Sequence, residues 1–331
     1  MPLPSAFVER VYAARAYPFL QAQLTALSNR VPVALFDVIV IGLAGLLASV
    51  WLVRGRQARR QRTWAPVGQA LWATAMLLAV VYLWFLAAWG LNYSRPPIEV
   101  RLGVGPAAVS AAAVRELAVR SVREVNARYA GAHAHGFQAM GTRPSPLVAA
   151  FHEIGARLGR PRPTVPAVPK TTIFTPFFRA SGTDGMLAPF ALETLVNPDL
   201  TGPERAFLVA HEWAHLAGFA PEADASFVGV LATLRADAAS QYSGWLFLVG
   251  ETSRQVPPDD AATIYGELAE GPRQDLAAIR ARLMRRVAVV ERASWQAYDQ
   301  YLKSQGVAEG VQSYSRVIQL LLGTGAAAGL F

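Results

Sequence analysis

Two apolar runs near the N-terminus dominate the hydropathy pattern of this chain. The first covers residues 31–53, interrupted only by Asp37 and a few small residues, and the second covers residues 67–91. As a helix, each is long enough to cross a hydrocarbon core of about 30 Å. Trp51, Trp64, Trp84, Trp89 and Tyr93 lie at or near the ends of the runs, where amphipathic rings favour a membrane interface. Asp37 is costly in lipid, so it is expected to face protein or the interface. The connection, residues 54–66, carries Arg54, Arg56, Arg59, Arg60 and Arg62 and no acid. Short basic loops stay in the cytoplasm. Residues 1–30 and everything after residue 91 are then expected on the other side, with the first run an uncleaved anchor.

From residue 92 onward the pattern is that of one globular extracytoplasmic domain. Apolar spacing at three and four predicts helices over 106–129 and 145–158, followed by the breaker RPRPTVPAVP. Residues 171–178 and 186–196 are rich in β-branched and aromatic side chains, with Gly182 and Gly185 between them, and read as strands. The second leads into the helix 203–218 and either lines a cleft as a peptide-pairing edge or forms an ordinary hairpin. Further helices are expected over 222–239 and 271–301, and the apolar stretch 317–322 is too short to span a membrane. The fold class is mainly α with a small β element (α+β).

Composition narrows the chemistry. The 331 residues carry a formal charge of +8, 53% are apolar, and none is cysteine, so disulfides and thiolate metal sites are excluded. The arginine run is explained by its place between two spans, and no nucleic-acid partner is expected.

The candidate chemistry lies in His211-Glu212-Trp213-Ala214-His215. Residues four apart share a helix face, so His211 and His215 can offer two imidazoles to one Zn²⁺, with Glu212 placed to take a proton from the water it activates. A catalytic zinc needs a third protein ligand and an open position. Gly218 lets the chain reverse and Pro221 opens a second helix, which puts Glu222 in its first turn as the expected third ligand, with Asp224 as the substitute. Tyr242 is a candidate hydrogen-bond donor to a developing oxyanion or a half-buried packing residue. Asp237 is either a partner for a ligand histidine or a solvated helix-end acid. His133 and His135 read as loop histidines, and His152 as a packed or surface one.

With these segments in view, the chain resembles an uncharacterised bacterial membrane family catalogued as domain of unknown function 3810. The resemblance rests on VPVALFDVIV, WGLNYSRPP, DGMLAPFALETLVNPDL, HEWAHLAGFAPEADASF, QYSGWL and YLKSQGVAEGVQSYSRVIQLLL. The site segment is also similar to that of gluzincin metallopeptidases. There the histidine pair is followed by a glutamate in an E-x-x-A-D setting; here Ser226 stands where aspartate is usual, and the gap from His215 to Glu222 is much shorter. Asparagine is common in the family at the position of Ser226. The resemblance implies zinc peptidase chemistry on a zincin-like domain, residues 92–331, anchored in a bacterial inner membrane and facing the periplasm or exterior. The expected substrate is a peptide or protein. The alternatives are a non-catalytic membrane assembly protein with a structural metal site, and a metal-dependent hydrolase of a non-peptide amide.

Overall fold

The computed structural model describes residues 3–104, 109–307, 316–326 and 329–331. The chain opens with a helical segment, π-helical over Val8–Ala16 and α-helical over Tyr17–Ser28 (α1). Two long helices follow, Leu35–Gln61 (α2) and Ala65–Ala88 (α3). They pack side by side, with the Trp51 indole donating to Thr74 Oγ1 at 3.1 Å. Both are long and apolar enough to cross a membrane, and only 6% and 11% of their most apolar windows are buried within the chain. A soluble core helix would be mostly buried.

The arginines after residue 53 do not form the expected loop. Arg54, Arg56, Arg59 and Arg60 extend α2 by further turns, because arginine and glutamine are good helix formers and cations complement a helix C-terminus. The reversal is confined to Arg62–Trp64, where Arg62 takes φ 50°.

The globular part is built on Ala111–His135 (α4), Ser145–Arg157 (α5), Thr175–Ser181 (α6), Gly202–Leu216 (α7), Glu222–Thr233 (α8) and Ala238–Ser253 (α9). Residues 106–108 of the expected first helix lie outside the described residues. Pro258–Gly266 (α10), Glu270–Leu283 (α11) and Ala288–Ser304 (α12) complete the main elements. The single helix expected over 271–301 is therefore two, joined by an exposed link.

The strands also differ from expectation. Residues 171–178 hold no strand; from Thr175 they form α6, since Pro176 suits a first helical turn. The hairpin lies instead within the second expected strand, which turns at Pro189–Leu192 into Gly185–Ala188 (β1) and Glu193–Val196 (β2). The strands are antiparallel, with Gly185 opposite Val196 and Ala188 opposite Glu193, and Lys170 adds a parallel bridge to Leu195.

Helix α7 is the axis of the core. Every residue of α8 is buried against its surroundings, and α9 and α4 pack beyond. Gly229 eases the close α7–α8 approach: a Cβ there would lie 3.2 Å from the backbone nitrogen of His211. The N-terminal segment shares this core through Val8, Tyr12 and Tyr17. The Tyr17 hydroxyl donates to the Leu216 carbonyl at 2.8 Å.

Buried charges fix the hairpin to α2. Glu193 is fully buried and accepts from the backbone N–H groups of Leu35 (3.0 Å) and Phe36 (2.8 Å), capping α2, and from Ser28 Oγ and Lys170 Nζ at 2.7 Å each. Asp37, the acid within the first apolar run, is buried and accepts from the Thr172 hydroxyl and the Ile173 N–H. It faces protein, as its cost in lipid requires. Removing one member of a buried ion pair strands the other, so Lys170→Met is expected to cost about 3–5 kcal/mol. Thermal unfolding of the full chain in detergent measures this, and a parent-like melting temperature would show that the pair contributes nothing.

Candidate metal centre

Helices α7 and α8 bring the site together. Helix α7 is capped by Glu204, whose carboxylate accepts from the Thr201 N–H (2.9 Å) and hydroxyl (2.8 Å). Arg282 of α11 ties the same carboxylate to Asp184, at the start of β1. Gly218 ends the helix region at φ 83°, the left-handed conformation expected of it, and Pro221 caps α8. This short reversal delivers Glu222 to the two histidines.

Nε2 of His211 and Nε2 of His215 lie 3.1 Å apart, and Oε2 of Glu222 is 3.2 and 3.3 Å from them. Among the described residues these three side chains form a buried group that could hold a metal ion. The triangle fits one ion. A tetrahedral centre with bonds of about 2.0–2.1 Å has ligand–ligand edges of about 3.3 Å. The donor set, two imidazoles and a carboxylate, leaves a fourth position open.

Each ligand is held from behind. The Nδ1 of His215 faces the Phe219 carbonyl at 2.9 Å and donates to it, so that in the neutral ring the Nε2 lone pair faces the group. The Trp89 indole donates to the His215 carbonyl at 3.0 Å. Nδ1 of His211 meets Ser226 Oγ at 3.2 Å. Ser226, read from the sequence only as a departure from the gluzincin pattern, thus orients a ligand. Oε1 of Glu222 accepts a short hydrogen bond from the Tyr298 hydroxyl on α12. Sequence reasoning missed Tyr298; the one local signal is its spacing with Tyr301 on an amphipathic helix. Groups that orient ligands typically change metal affinity by about 10–100-fold when lost. Tyr298→Phe and Ser226→Ala are each expected to weaken zinc binding within that range, measured by competition with a chromophoric chelator. Unchanged affinity in both would remove them from the site.

The electrostatics divide the four groups. Burial opposes charge on Glu222, but His215 and His211 overcome it and hold its carboxyl well below the usual range. Burial likewise works against a charged His215, yet Glu222 raises it, while burial lowers His211. Glu212 is the exception. Burial pushes its carboxyl up to about 8, and its Oε2 is buried without a hydrogen-bond partner from the protein. Its other contacts are the Leu187 N–H and Gly185, where a Cβ would come within 2.8 Å of Oε1.

Glu212 therefore faces β1, whose outer edge pairs with no strand among the described residues. The Asn197 N–H donates to the Asp184 carbonyl at 2.8 Å. By antiparallel alternation the backbone groups of Gly185 and Leu187 then point away from β2, toward the base.

The other sequence candidates lie elsewhere. Tyr242 is buried and donates to Asp275 at 2.6 Å, among Tyr129, His133 and Phe137, so it does not face the three ligands. Asp224 pairs with Arg101 at 3.4 Å and points away from the histidines. Asp237 caps α9 by accepting from the Ser240 N–H. His133 and His135 end α4 rather than sitting in a loop, and His133 meets Asp275 at 3.0 Å. His152 meets the Thr164 carbonyl at 2.8 Å.

Residues 12–322 match the family described as protein of unknown function (DUF3810). The chain belongs to the DUF3810 family. Neither a curated protein nor a solved structure matches it.

Proposed function

We propose that this DUF3810 protein is a membrane-anchored, zinc-dependent peptidase. The observation that carries the reading is a buried carboxylate, Glu212, with one oxygen unpartnered, set between a metal-sized triangle of ligands and the unpaired edge of β1. His211, His215 and Glu222 would hold the ion, which when bound supplies Lewis acidity toward water and a carbonyl. Glu212 takes the proton of the attacking water and returns it to the leaving amine. The outward backbone groups of β1 align an extended chain beside Glu212 by strand addition, which favours a peptide over other amides. Ser226, Tyr298 and the Phe219 carbonyl keep the ligands in place while the proton moves.

Helices α2 and α3 are read as membrane spans, with the arginine-rich turn in the cytoplasm and the metal centre on the outer side of a bacterial inner membrane. The pairing of Trp89 with His215 then puts the site just beyond the outer end of α3. The test is incubation of the zinc-loaded protein in detergent with a mixed peptide library, read by mass spectrometry. Discrete, chelator-sensitive cuts are expected. A fully zinc-loaded protein that cuts nothing would favour the structural-site alternative.

A further inference from the structure

Eight large apolar side chains beyond residue 92 are exposed among the described residues: Val100, Val119, Ile173, Phe177, Met284, Val287, Val289 and Trp295. Val100 and Val119 lie on other elements. The remaining six fall on α6 with its leading residues and on α12 with its leading link. The Val287 N–H donates to the Ala180 carbonyl at 2.9 Å, joining the link to the end of α6, and α6 and α12 pack together. The link and the first two residues of α12, Met284-Arg285-Arg286-Val287-Ala288-Val289, are exposed at all six positions, with Met284 at 77% and Val289 at 75%. Contiguous exposed apolar surface of this kind marks an interaction site.

Both far ends of this surface are fixed to the apolar helix pair. The Ile173 N–H donates to Asp37 in the first turn of α2, and Phe174 packs on Phe36 at 5.8 Å between ring centroids. At the other end, Tyr301 of α12 meets Phe85 of α3 and Tyr93 just beyond it, at 6.3 and 5.9 Å. The first residues of α2 and the last of α3 lie on one side of the pair. The α6–α12 surface therefore continues the apolar pair at that end, edged by Arg285 and Arg292.

We propose that this surface is a third membrane contact, with the α6–α12 face resting in the interface of the bilayer that α2 and α3 cross. The proposal rests on the membrane-spanning reading of those helices. Apolar side chains interleaved with arginine suit that environment: rings and alkyl groups enter the headgroup boundary and guanidinium groups meet anionic headgroups. The occupant is lipid of the same membrane.

The absence of cysteine makes the test direct. Single variants Phe177→Cys, Met284→Cys and Val289→Cys carry a nitroxide in the full chain, reconstituted in nanodiscs of phosphatidylcholine and phosphatidylglycerol. Leu78→Cys, exposed within α3, reports lipid, and Val119→Cys reports water. Collision rates with oxygen and a nickel chelate give depth. Positions 177, 284 and 289 are expected about 5–10 Å into the headgroup–acyl boundary, and position 119 outside it. If position 78 is in lipid but the three surface positions match position 119, the proposal is overturned while the spanning reading stands. If position 78 is itself in water, the spanning reading fails and the proposal with it.

Discussion

Glu212→Gln is expected to slow peptide hydrolysis by about 10²–10⁴-fold, the usual contribution of a positioned proton-transfer group. The amide keeps the size of the carboxylate but cannot accept the proton of the attacking water. Zinc content should stay at the parent level, because Glu212 is not one of the three converging ligands. Burial, with the carboxylates of Glu222 and Asp184 adding to it, pushes its carboxyl up to about 8. A divalent cation among His211, His215 and Glu222 favours the charged form. Metal loading would thus also prepare the base. Turnover and elemental analysis on one preparation separate the roles: a Gln variant that turns over like the parent sinks the assignment of Glu212.

Zinc is expected to raise the melting temperature strongly, and His215→Ala to cancel that rise. A ligand bound only by the folded state, at about 1,000 times its dissociation constant, stabilises by about 4 kcal/mol. For a domain of this size each kcal/mol moves the melting temperature by about 2–4 °C, so a shift of about 8–16 °C follows. His215 is one of the three converging ligands, its Nε2 within 3.3 Å of both others. The alanine variant also loses the bond to the Phe219 carbonyl, so its melting temperature without zinc is the proper baseline. A full zinc shift in that variant would place the metal elsewhere.

Much of the centre was legible in the sequence because helical spacing is local. His211 and His215 share a face by being four apart, and Gly218 and Pro221 announce the reversal that brings Glu222 back. What spacing left open was the choice between Glu222 and Asp224, since both sit in the first turn of α8. Two residues apart on a helix point to nearly opposite sides, so one meets the imidazoles and the other Arg101. Tyr298 reaches Glu222 across 76 positions of sequence, and no local pattern encodes such a contact. Tyr242 failed for the same reason: its partner, Asp275, is decided by how α9 and α11 pack. The strand reading of residues 171–178 trusted β-branched and aromatic content over Pro176, which favoured a helix start.

The cap that Glu193 places on α2 bears on how this protein can be handled. A soluble fragment begun after the second apolar helix would lack Leu35, Phe36 and Ser28, leaving Glu193 and Lys170 together in a cavity open to water. It would also lose Tyr17, whose hydroxyl holds the Leu216 carbonyl next to the second histidine. The globular part is not a portable module: its site depends on residues that precede the second apolar helix.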